Sequence, residues 1–180
     1  MKKIILTVFA ASSLLLYSTQ AFALLSVSVG MPLGYSFTQG GGSNSNMEGY
    51  FLGVQLPFAL GLGMDSHKVK SDTGSTELHT NMYNLFYQLP IPVINLILGV
   101  GTGSQEFICN DVGNGKSCSD ALDKGSATQF YTSLGIPIMP LFDFHISYRS
   151  ITTKDLELPD GRKTDSSKST VMGAGFAFNF

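Results

Sequence analysis

Tryptophan is absent from this sequence of 180 residues, cysteine occurs twice, and charge is scarce: 11 Lys and Arg with 13 Asp and Glu make only 13% of the chain. Soluble domains carry roughly 25%, so a wholly water-facing surface would be short of charge. Apolar residues do not replace it, since hydrophobic residues are 43%, slightly below the usual share. A net charge of −2 and a pI near 5.8 provide no basic field, which excludes nucleic acid as the expected partner. The composition calls for no cofactor and no metal. Glycine is what exceeds the average: 20 of 180 residues against a usual ~7%.

The one long apolar run lies at the N-terminus. Lys2 and Lys3 precede Ile4 to Leu16, and Ala21-Phe22-Ala23 follows. That order, basic, then apolar, then small-x-small, predicts a secretory signal peptide over residues 1–23. The run is shorter than the ~20 residues a spanning helix needs. Cleavage after Ala23 leaves the domain 24–180, with nine basic residues against 13 acidic ones and a net charge of −4. An exported protein is expected.

Beyond the signal, the hydrophobic period is two. Leu25, Val27, Val29, Met31, Leu33, Tyr35 and Phe37 alternate with Ser26, Ser28, Gly30, Pro32, Gly34 and Ser36. At the other end Met172, Ala174, Phe176, Phe178 and Phe180 alternate with Gly173, Gly175, Ala177 and Asn179. In a soluble sheet the second face would carry Lys, Glu and Thr. Here it carries Gly and Ser, which suit a crowded interior, so the small face is assigned inward and the apolar face to lipid. Strands in hydrocarbon must close into a barrel, because an open edge leaves backbone groups unpaired.

Parity and turn chemistry predict eight strands: Leu25 to Phe37, Met47 to Leu56, Ala59 to Lys68, Glu77 to Leu89, Val93 to Gly103, Ala127 to Ile136, Leu141 to Ile151 and Ser169 to Phe180. On this reading Gly30, Gly34, Gly53, Gly61, Gly63, Gly99, Gly101, Gly173 and Gly175 point inward. Pro32 is the misfit, since it removes a ladder hydrogen bond; a local bulge is expected there. Three Pro-marked turns near Pro57, Pro90 and Pro140 alternate with four longer polar segments, Thr38 to Asn46, Ser66 to Thr76, Ser104 to Ser126 and Thr152 to Lys168. The fold class is therefore all-β, a closed eight-stranded antiparallel transmembrane β-barrel with short periplasmic turns and longer extracellular loops. Side chains fill a lumen of that size.

The closing Gly173-Ala174-Gly175-Phe176-Ala177-Phe178-Asn179-Phe180 and the penultimate Phe142-Asp143-Phe144-His145-Ile146-Ser147-Tyr148-Arg149 resemble the small outer-membrane barrels of the opacity-protein and OmpA-transmembrane-domain type. The resemblance implies residence in the cell outer membrane of a Gram-negative bacterium and insertion by the barrel-assembly machinery, with Phe176, Phe178 and Phe180 as the assembly signal. Outer-membrane lipids and lipopolysaccharide are the implied surroundings, and a monomer is expected.

Few residues could carry chemistry. Cys109 and Cys118 share the third long segment, and in an oxidising compartment a disulfide is expected; that segment has no His to support a metal site. The inward charges are Asp65, Asp143 and Arg149. Strands three and seven face each other across a ring of eight, so Arg149 is expected to reach Asp65, with Asp143 lower, near His145. The same groups, with His67, pose the alternative of a proton or ion relay, and a narrow channel for small solutes is a further reading. His145-x-Ser147 is similar to the His-x-Ser pair of outer-membrane lipid A deacylases, with Glu157 or Asp155 standing in for the acid. In that family the pair faces lipid, whereas parity here turns it into the lumen, and Tyr148-Arg149-Ser150 does not match the family's continuation. A non-enzymatic role is expected: a structural role, or surface interaction with a host or extracellular ligand through the loops.

Overall fold

A computed structural model of the chain describes residues 25–37, 43–44, 46–57, 59–70, 76–89, 91, 94–109, 124–139, 141–157, 163–164 and 166–180. The expected signal segment, Cys118 and the side chain of Cys109 lie outside them. Eight long strands run Ser26–Phe37 (β1), Met47–Gln55 (β2), Leu60–Lys70 (β3), Thr76–Leu89 (β4), Asn95–Cys109 (β5), Gly125–Met139 (β6), Phe142–Lys154 (β7) and Ser167–Asn179 (β8). Each pairs antiparallel with the next, and β8 pairs with β1 from Ser26↔Asn179 to Phe37↔Ser169, which closes the barrel. The ends are tied as well: the Phe180 N–H donates to the Leu25 carbonyl at 2.9 Å. With no edge strand, every ladder group can find a partner.

The alternation seen in the sequence becomes a band of lipid-suited surface. Tyr50, Leu52 and Val54 of β2, Leu60 and Leu62 of β3, Tyr83, Leu85 and Tyr87 of β4, Phe130 and Leu134 of β6, and Met172, Phe176 and Phe178 of β8 are all exposed. Aromatic pairs thicken its lower rim, with Phe142 against Phe178 at 4.6 Å and Phe144 against Phe176 at 5.5 Å between ring centroids.

Three expectations are corrected. The bulge at Pro32 is present: Pro32 pairs with Gly173 and Gly34 with Met172, which leaves Leu33 as the extra residue. A bulge resets parity. Beyond it Tyr35 turns inward and is buried, contrary to its outward assignment, and Gly34, opposite the outward Met172, is not an inward glycine. Second, the strands are longer at the loop end than expected. β3 continues to Lys70, β5 to Cys109, and β7 to Lys154, so the second polar segment shrinks to the connection between Lys70 and Thr76. Third, parts of the expected loops pair: Ser43–Asn44 adds to β1, and Leu156–Glu157 pairs with Lys163–Thr164 as a small hairpin. The physical reason for the longer strands is an inversion. Above Tyr83 on β4 the outward residues become Asn81, His79 and Glu77 while Met82 and Leu78 point inward. On β7, Ser150 and Thr152 follow Tyr148 outward while Ile151 is fully buried. Strand pairing does not stop at the membrane edge; only the polarity changes sign.

Candidate functional site

The lumen is where the sequence places its few interior charges, and it is built in layers. Nearest the short turns, Asp143 accepts hydrogen bonds from Asn95 Nδ2 at 2.5 Å and Asn179 Nδ2 at 2.8 Å, while Gln88 donates to Asn95 Oδ1 at 2.7 Å. Above this lies an apolar layer of Phe86, Ile97 and Tyr131, in which Phe86 meets Tyr131 edge to face at 6.2 Å. Glycine makes the room: a Cβ on Gly99 would lie 2.6 Å from atoms of the Tyr131 ring, and one on Gly61 2.8 Å from Phe86 Cε1.

The next layer holds the cross-lumen ion pair. Arg149 Nε donates to Asp65 Oδ2 at 2.9 Å, Gln129 Nε2 donates to the same oxygen at 2.7 Å, and Arg149 Nη1 donates to Ser147 Oγ. The guanidinium also stacks on Phe51, 3.5 Å from its centroid, with Tyr131 at 5.2 Å on another side. Both charges are buried, so desolvation makes each dependent on the other. Above them comes an apolar core of Met82, Val69, Leu78, Ile151, Val171 and Tyr35. At the level of this core, with Thr80 between Leu78 and Met82 on β4, Gln105 donates to Thr80 Oγ1 at 2.9 Å and accepts from Thr153 Oγ1 at 2.6 Å.

The expected site residues are thus divided among levels. Asp65 and Arg149 are brought together. Asp143 and His145 lie toward the turn end, and His145 and Asp65 border one void beside Phe86, Ile97 and Tyr131; among the described residues no hydrogen-bonded chain joins the four. His67 is buried, and among the described residues neither of its ring nitrogens has a hydrogen-bond partner. The deacylase-like constellation is not assembled: His145 Nδ1 lies 3.5 Å from Ser133 Oγ, Ser147 donates to the Gly173 carbonyl at 3.3 Å, and Glu157 sits in the hairpin at the loop end. Seven residues of strand separate Ser147 from Lys154, on the order of 23 Å. The void beside His145 and Ser147 is ≈ 60 Å³, enough for a few waters and too small for a lipid. Sequence reasoning turns Asn95 inward without giving it a role and does not single out Gln129 or Gln105; these three are neutral partners of the plug. Their signal was inward parity on the neighbouring strands.

Solved structures share this architecture. Neisserial surface protein A (NspA) superposes with a TM-score of 0.57 at 13% identity, over 87% of this chain and 96% of that one. The N-terminal β-barrel domain of Pseudomonas aeruginosa OprF does so with 0.53 at 13% identity, over 85% and 97%. The fold is that of the small eight-stranded outer-membrane barrels. No family model matches the chain, and no curated protein matches it by sequence. Here the lumen is filled by polar networks and apolar side chains.

Proposed function

We propose that the chain is exported by a signal peptide at 1–23, that residues 24–180 reside as a barrel in the outer membrane of a Gram-negative bacterium, and that the protein acts without catalysis. Its role on this reading is structural, or surface interaction through the end where the longer connections lie. The carrying observation is the combination of an exposed apolar band with a lumen occupied by Arg149, Asp65 and the apolar clusters beside them. Such a body has a membrane-facing wall and a lumen filled by side chains, so its loop end is the part that remains for contact with other molecules. An oxidising destination also suits a Cys109–Cys118 disulfide.

The test is reconstitution. The refolded protein is expected to enter phospholipid vesicles, to show heat-modifiable mobility on gels, and to give no steady openings in planar bilayers. Sustained conductance would replace this reading with a solute channel. Expression is expected to leave the mass of lipid A unchanged; a shift abolished by Ser147→Ala would restore the enzyme reading. Shortening the Asp155 to Ser166 connection is expected to remove binding to cells if adhesion is the role.

A further inference from the structure

Charge around the loop-end rim is unevenly matched. From β2 round to the start of β6, basic side chains meet carboxylates: Lys68 Nζ and Lys70 Nζ each lie 2.9 Å from Glu48, His79 Nε2 is 3.1 Å from Glu77, and Lys124 Nζ is 3.2 Å from Glu106. On the β7–β8 arc, Lys154 and Lys168 are both exposed, and among the described residues neither makes an ion pair. Register places Lys168 opposite Thr152, two residues before Lys154 on the same outward parity. The two lysines are therefore diagonal neighbours on one face, about 7–8 Å apart along the backbone.

Like charges at that spacing repel each other unless an anion lies between them. Beneath them, Thr152 and Thr170 offer hydroxyls, and below those come the exposed Tyr148 and Met172 of the apolar band. Asp155, the next residue, leaves the strand with a left-handed backbone, φ 54°, and pairs with neither lysine. Two cations above hydroxyls above an apolar wall form a vertical order that matches one amphiphile: a phosphate head, a polar linkage and acyl chains. In a bilayer, basic residues at this height meet lipid phosphates.

We propose that Lys154 and Lys168 together bind the phosphate of an outer-leaflet lipid whose acyl chains lie against Tyr148 and Met172. The assignment rests on the membrane reading above, and its test separates the two. The full mature chain, refolded in phosphate-free detergent, is titrated with diphosphoryl lipid A and with its dephosphorylated form, and retained lipid is read by native mass spectrometry. Gel mobility reports independently whether each variant is a folded barrel. The phosphorylated form is expected to bind more tightly, and Lys154→Gln with Lys168→Gln to weaken it roughly thirtyfold, while Lys68→Gln with Lys70→Gln changes it by less than about twofold. Lys154→Arg with Lys168→Arg is expected to keep binding, because the charge is retained. Equal losses from both glutamine pairs, or no preference for the phosphorylated lipid, would overturn the site. Displacement by millimolar inorganic phosphate would overturn the lipid as its occupant.

Discussion

The two halves of each strand obey opposite rules. In the half near the short turns, Leu85 and Ile146 face out, while Gly61, Gly99, Asp143 and His145 face in. In the half near the loops, Asn81, Ser150 and Thr170 face out, while Met82, Ile151 and Val171 face in and are fully buried. One half is an inside-out protein in hydrocarbon and the other is a small water-soluble barrel with its own apolar core. The same ladder carries both, because backbone pairing is indifferent to which face meets which solvent. What differs is the source of stability: lipid contact and glycine-enabled aromatic packing below, hydrophobic burial above, with the Arg149–Asp65 layer at the join.

The join should be the most sensitive place. Arg149→Met leaves Asp65 buried and unpaired, and urea unfolding in vesicles is expected to lose about 3–5 kcal/mol. Adding Asp65→Leu should recover much of that; additive losses would show that the pair is not the unit. The inversion itself is tested by two isoleucines on β7. Ile151→Ala in the upper core leaves a cavity and should cost about 2–5 kcal/mol. Ile146→Ala on the outer wall should cost about 2 kcal/mol or less, since acyl chains fill the gap and only transfer of the removed methylenes is lost. Equal losses would erase the distinction between the halves. The same contrast with charge uses β4: Leu85→Arg is expected to cost roughly 2–4 kcal/mol and Asn81→Arg roughly 0–1 kcal/mol. Comparable values would move the membrane boundary. Gly99→Val is expected to cost about 1–3 kcal/mol from crowding the Tyr131 ring, read as a lowered unfolding midpoint.

Much of this architecture was legible along the chain. The outward series on the lower strands, the inward Asp65, Asp143 and Arg149, and the cross-lumen encounter of β3 with β7 all follow from parity and from counting strands around a ring. The strand ends were not legible. Val69 and Phe107 alternate with polar neighbours as clearly as the lower residues do, but in the opposite sense, and without a register a reversed alternation reads as loop. Tyr35 was misassigned for a related reason: a single extra residue, Leu33, exchanges the faces of everything after it, and alternation on paper continues through a bulge unbroken. The plug's neutral members were hidden because Gln129 and Gln105 stand 64 residues from Asp65 and Ser169, respectively.

The sequence by itself determined the period of two, the surplus of small residues on one parity, the number of strands and so the closed barrel. These are local properties, fixed by neighbours i and i+2. Tertiary structure alone decided where parity slips, how far the strands run above the apolar band, which polar side chains complete the Arg149–Asp65 layer, and which rim lysines keep carboxylate partners. Each of those depends on strand register around the closed ring, where residues far apart in the chain share one level of the lumen.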